Sequence, residues 1–375
     1  MRSSRKGALL AIVLAVAWTS HAAAQQQTQG FALERFYPSA PGGGWLVMDT
    51  LDMRGGFGGV AGVTLGYAHD PLRVATTDGS QHLTVISDQA FADLGFAATY
   101  DRFRFYLNLD MPLAVGGNNG TVGAYSFTAP TVNPSATPDV LSDARLGFDA
   151  RLVGDARSAF RLGAGAQLYV PFTGNPSYYL TDGTYRAMGR VLFAGDVGRF
   201  TYAGQVGVHI RPRDDAPTPG GPQGSELLFG VAAGVRIPLP GPPNTSVIVG
   251  PEVYGASAFR SFLGTDATAL EALLSGRLEG TAEDGRQYRV KLGVGAGLNP
   301  HFGEPEWRFV IGIELFDHST DRDKDTVFDS RDACPDVPGV RTKDPRTNGC
   351  PKPPDGDGAP AGNAAPGATE PAKPE

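Results

Sequence analysis

The chain has 375 residues, a formal net charge of −7, 51 glycines, 30 prolines and only two cysteines. That much glycine and proline excludes a helix-dominated protein and suits many strands joined by turns. An acidic balance without a basic cluster excludes nucleic acid as an expected partner.

In chain order, residues 1–24 read as a secretory signal peptide. Arg2, Arg5 and Lys6 form its basic start, Ala8 to Trp18 its apolar run, and Ala22-Ala23-Ala24 the small residues ahead of cleavage before Gln25. An apolar run of about eleven residues is too short to cross a bilayer as a helix, and no later run reaches the 18 residues such a span needs. Losing those three cations takes the formal charge from −7 to −10. No cysteine follows the run, so no lipoprotein anchor is expected.

Residues 25–44 are expected to form a periplasmic segment ahead of a barrel spanning 45–316. From Trp45 to Phe316 the sequence repeats one theme: stretches of apolar/polar alternation separated by turn-formers. In 102–111, Phe103, Phe105, Leu107, Leu109 and Met111 oppose Arg102, Arg104, Tyr106, Asn108 and Asp110. In 200–211, Phe200, Tyr202, Val206, Val208 and Ile210 share one face, and in 288–298 Tyr288, Val290, Leu292, Val294 and Leu298 do. Period 2 held for ten or more residues is a strand signal, and the length is that of a tilted strand crossing a bilayer, roughly 9–11 residues. Further strands are predicted at 57–69, 82–100, 141–153, 158–170, 185–197, 225–238, 245–255, 269–279 and 306–316. Short turns (at 101, 154–157, 198–199, 239–244 and 282–286) alternate with longer connections at 112–140, 171–184, 212–224, 258–268 and 299–305. Phe103, Phe160, Tyr185, Phe200, Tyr288 and Trp307 sit near strand ends, where an interfacial girdle would place them.

The expected fold is therefore all-β: a transmembrane, antiparallel, up-and-down barrel of twelve strands, its short turns in the periplasm. Fourteen strands result if Trp45–Met53 and the irregular stretch 70–88 contribute a pair. A soluble β-sandwich or solenoid also alternates, but does not account for strand length, loop asymmetry and aromatic ends together. Arg151, Arg161, Arg186, Arg190, Arg236, Arg289 and Lys291 fall on the face opposite the apolar one, among many glycines. A charge facing hydrocarbon costs about 2–4 kcal/mol near the midplane, so these residues point into the lumen. They are candidates to line a water-filled pore with a weak anion preference, or to close the lumen through Arg–carboxylate pairs. His69, His82, His209, His301 and His318 show no catalytic or metal-ligand spacing, and no enzyme is expected.

At the C-terminal end, Asp321, Asp323, Asp325, Asp329 and Asp332 occupy positions 1, 3, 5, 9 and 12 of an acidic loop, with the Val327 carbonyl at position 7. Those are the oxygen-ligand positions of an EF-hand-type calcium site, and five crowded carboxylates need a hard cation to neutralise them. Cys334 and Cys350, in an oxidising compartment, read as one local disulfide.

The pattern DxDxDxVxDxxDxCP followed by PGV and NGCP resembles a thrombospondin type 3 repeat of the OmpA-like outer-membrane proteins, and FALERFYPSAPGGGW and LGYAHDPLRV resemble their N-terminal barrel region. The resemblance implies a calcium-binding periplasmic repeat over 317–353 with the six ligands named, although Thr326 stands where the family has glycine. The family's peptidoglycan-binding domain has no counterpart in the Pro/Ala-rich stretch 354–375, which reads as disordered, so peptidoglycan binding is not expected. Outer-membrane lipid and the barrel-assembly machinery are the expected partners. The functional expectation is a structural or porin-like passive role. The competing one is a surface adhesin or receptor acting through the long loops 112–140 and 212–224.

Overall fold

The computed structural model describes residues 26–28, 30–53, 56–134, 141–156, 158–172, 178–213, 221–240, 245–282, 286–299 and 301–319, with 323, 327, 332–334, 337–344 and 346–352 beyond them. The signal-peptide and tail assignments lie outside these residues. The chain divides into two compact units, the second beginning at Ser319.

Fifteen strands are present: β1 (Gln26–Gln27), β2 (Phe57–Ala75), β3 (His82–Tyr100), β4 (Phe103–Gly116), β5 (Gly120–Val122), β6 (Tyr125–Phe127), β7 (Asp143–Val153), β8 (Arg161–Pro171), β9 (Arg186–Val197), β10 (Phe200–Ile210), β11 (Glu226–Pro238), β12 (Ser246–Ala258), β13 (Thr268–Thr281), β14 (Gln287–Gly297) and β15 (Trp307–Ser319). Twelve close into one up-and-down barrel in the order β2-β3-β4-β7-β8-β9-β10-β11-β12-β13-β14-β15. Each of the twelve overlaps one stretch in which the sequence alternates, because a two-residue period puts every second side chain on the same wall. On β4, Phe103 and Phe105 are exposed while Arg104 and Tyr106 are buried; on β10, Val206 and Val208 are exposed while Thr201 and His209 are buried. The turn between β9 and β10 is Gly198-Arg199, with Gly198 at φ 61°, a conformation that glycine adopts without a Cβ penalty.

Two expectations are corrected here. Neither Trp45–Met53 nor 70–88 adds strands to the barrel, which has twelve. Residues 70–75 and 82–88 instead prolong the β2–β3 hairpin beyond a register shift between His69 and Leu72. Nor does the barrel begin at residue 45: its first strand starts at Phe57 and its last runs to Ser319.

Residues 30–53, expected in part as a periplasmic segment, are packed inside the barrel. Leu33, Met48 and Leu51 have no exposed surface, and Phe36, Trp45 and Leu46 have about 2%. From Gln26 the described chain lies at the long-loop end, where β1 pairs in parallel with β6 and extends the β5–β6 hairpin. It then descends the lumen and leaves at the short-turn end to enter β2. Inward glycines make room for it: a Cβ on Gly293 would stand 2.2 Å from the Leu46 side chain, and one on Gly234 2.6 Å from the Trp45 ring. The hydrophobic core is thus the inside of a barrel. Phe36, Trp45, Leu46, Val47 and Met48 meet Phe91, Ile248, Leu273 and Val310 at mid-height. At the long-loop end Phe31 and Leu33 join Leu72, Val85, Val115, Phe127 and Tyr179.

In the second unit Cys334 and Cys350 are disulfide-bonded, with Cα atoms 5.0 Å apart. Val340 pairs with Cys350 in an antiparallel bridge beside them.

Candidate functional site in the barrel lumen

A buried segment of irregular backbone must satisfy its N–H and C=O groups without water, and here inward side chains of the wall do so. The Glu252 carboxylate on β12 accepts three consecutive backbone N–H groups, from Leu46 at 2.9 Å, Val47 at 2.9 Å and Met48 at 3.1 Å. The Ser275 hydroxyl donates to the same carboxylate at 2.6 Å. Within the segment, Ser39 N–H donates to the Leu46 carbonyl and Thr50 N–H to the Gly43 carbonyl, which folds 39–50 into a compact turn.

The predicted lumen cations all point inward, and each has an acceptor. Arg151 donates to the Leu51 carbonyl at 3.0 Å and the Met53 carbonyl at 2.6 Å. Lys291 lies 2.7 Å from Glu314 and 3.4 Å from the Trp45 carbonyl. Arg289 bonds Glu314 at 3.0 Å and Glu279 at 3.1 Å, and reaches Asp52 at 3.4 Å. Arg190 bonds Asp149 at 2.8 Å; Asp149 in turn holds Arg104 at 2.9 Å, and Arg104 also pairs with Asp49 of the inner segment. Arg161 pairs with Asp196 at 2.8 Å and Arg236 with Glu279 at 2.9 Å. Arg186 pairs with Asp143 and lies over the Tyr169 ring. Six of the seven thus face a carboxylate, and Arg151 instead holds two carbonyls of the inner segment.

At the long-loop end, Asp182 takes two hydrogen bonds from Arg211, both 2.7 Å, and one from Ala32 N–H at 2.9 Å. Burial pushes the Asp182 carboxyl up, but the Arg211 guanidinium outweighs it and holds the group below the ordinary carboxylate range. Glu34 pairs with Arg308 at 2.6 Å, and Arg35 with Glu226 at 3.2 Å. His301, in the loop before β15, is pushed down to about 4 by burial and by the Arg35 guanidinium.

The segment separates two cavities. One, of about 450 Å³, opens at the short-turn end among Asp52, Arg104, Arg236, Glu279 and Arg289. The other, of about 840 Å³, lies at the long-loop end among Phe31, Leu72, Tyr125, Tyr179 and Phe302. Two smaller cavities lie between them, of about 50 and 20 Å³. Sequence reading missed the inner segment because its recognition is long-range: Glu252 lies more than 200 residues from the N–H groups it binds. The signal present was the unusual number of glycines on the inward face.

Of the acidic loop, Asp321, Asp325 and Asp329 lie outside the described residues. Val327 is buried at 2% exposure. Asp332 accepts the Cys334 N–H at 2.7 Å through Oδ1, while its Oδ2 is buried and has no hydrogen-bond partner among the described residues. An uncompensated buried carboxylate oxygen fits a cation ligand.

No protein-family model matches the chain, and no curated protein matches it in sequence. Among solved structures, an outer-membrane channel from Pseudomonas putida F1 is 14% identical with a TM-score of 0.46, over 70% of this chain and 95% of that one. The NanC porin is 8% identical with a TM-score of 0.40, over 68% of this chain and 98% of its own. The β domain of the Bordetella autotransporter BrkA is 15% identical with a TM-score of 0.37, over 68% and 98%. At such identities and scores none of them decides what this barrel does.

Proposed function

We propose that the chain is an outer-membrane β-barrel with a structural or porin-like role, its lumen held shut by residues 30–53 until that segment is displaced. The observation that carries the membrane reading is the outer wall. Leu65, Phe96, Phe105, Leu146, Val191, Val206, Val231, Leu274, Val294 and Ile313 are all exposed, each on a different strand of the barrel. A soluble monomer does not expose an apolar band running around its girth, and lipid is the solvent that removes the cost. Phe57, Tyr100, Phe103 and Phe200 at the short-turn end, and Trp307 and Tyr185 at the other, support an aromatic girdle. Short turns then face the periplasm, together with the acidic repeat, and the inner segment enters from outside.

Conductance in planar bilayers tests the role. The wild-type protein is expected to stay closed, and a variant lacking residues 26–53 to conduct, with folding checked by heat-modifiable gel mobility. Equal conductance of the two folded proteins would remove the shutter. For the repeat, calcium titration of the oxidised protein is expected to give saturable binding lost in Asp332→Asn; no heat at millimolar calcium would end that part.

A further inference from the structure

Among the described residues, His69, Asp70 and Glu306 form a histidine–carboxylate group in which one ligand atom from each lies within 4.8 Å of the others. We propose that these three residues bind a borderline divalent transition metal of the zinc class at the long-loop end of the outer wall. The proposal stands whether or not the barrel is a channel.

A regular strand cannot aim neighbouring side chains at one point, since residues i and i+1 face opposite walls. Here the strand is broken at the required place. The β2–β3 register shifts after His69, and Asp70 adopts φ 51°. A bulge re-aims a side chain, and this one brings the Asp70 carboxylate to 3.9 Å from His69 Nε2. Glu306 arrives from the far end of the barrel sequence. Its backbone N–H donates to the His69 carbonyl at 2.9 Å, at the seam where β15 meets β2. The group therefore joins the first and last strands.

The imidazole is oriented for a ligand. Its Nδ1 faces the Tyr67 hydroxyl at 3.4 Å and the Asp88 carboxylate at 3.7 Å, and Tyr67 is itself bonded to Asp88. Nε2 is left toward Asp70. A ligand histidine whose far nitrogen faces a carboxylate is the common second half of a zinc site. The Trp307 ring lies 5.6 Å from His69 and 5.0 Å from Tyr67, which limits rotation of both. One nitrogen with two carboxylates selects zinc-class ions over calcium, which takes oxygen ligands alone. Partial exposure of the group leaves a fourth position for water. Arg73 lies 2.7 Å from one Glu306 oxygen and is the competitor that an incoming ion must displace.

The test is zinc binding by the folded full chain in detergent, read with a competing chromophoric chelator at excess calcium. One zinc per chain is expected. His69→Ala and Glu306→Gln, which each remove a ligand, should weaken it by more than the roughly ten- to hundredfold seen when only a ligand's supporting partner is lost. Arg73→Gln, which releases Glu306, should tighten it. Absence of zinc binding in the wild-type protein, or binding that survives both His69→Ala and Glu306→Gln, overturns the proposal.

Discussion

Replacing Glu252 by alanine should loosen the inner segment and open the lumen. The carboxylate accepts four hydrogen bonds, three from consecutive backbone N–H groups and one from Ser275. Hydrogen bonds to a charged group contribute about 1.5–3 kcal/mol each, and removal leaves four donors facing the space the carboxylate held. Water entering that space recovers part of the loss. The three segment N–H groups left facing that space, at about 1–3 kcal/mol each less what water recovers, put the net figure at about 3–5 kcal/mol. At roughly 1.4 kcal/mol per decade, the balance between seated and displaced segment shifts by about two to four decades. Ser275→Ala removes one bond of the four and should shift it by about one to two decades at most. Single-channel recording in planar bilayers reads the difference as open probability, on protein whose gel mobility is heat-modifiable. If folded Glu252→Ala protein conducts no more than wild type, the carboxylate does not hold the segment.

Two further outcomes follow from other parts of the same arrangement. Gly293→Val leaves every wall hydrogen bond in place but puts methyl groups where Leu46 lies, 2.2 Å from the position of a Cβ; open probability should rise here too, and an unchanged value would mean that Leu46 is not packed there. His301 titrates near pH 4 in the folded protein against an ordinary value of 6.5, so between these values the unfolded chain holds more protons. Stability should then fall by about 1–3 kcal/mol as the pH drops from about 6.5 to about 4. His301→Gln should flatten that part of the profile, and an identical thermal-midpoint profile for the variant would refute the assignment.

Much of the barrel was legible because a lipid-facing wall imposes a period of two on each strand. Phe103 and Phe105 announce their own exposure whatever lies across the sheet. Arg151 and Arg190 were likewise legible as inward, since a charge has no place in hydrocarbon. Their partners were not. Arg151 binds the carbonyls of Leu51 and Met53, atoms that carry no sequence signature. The stretch GGGWLVM at 42–48 looks like a short strand after a turn, and only the Glu252 carboxylate beneath its N–H groups makes it a lumenal loop. The His69 group was illegible for a related reason. Glu306 lies 237 residues from His69, and they meet only because β15 closes on β2.

A membrane-embedded barrel that carries residues 30–53 in its lumen must protect the amides of that segment. Amide hydrogen exchange of the protein in lipid vesicles, followed by mass spectrometry over residues 45–51, measures this directly. Protection of the Leu46, Val47 and Met48 amides comparable to that of β12 and β13 is the predicted result. Exchange of these three at free-peptide rates, while the strands stay protected, would contradict it.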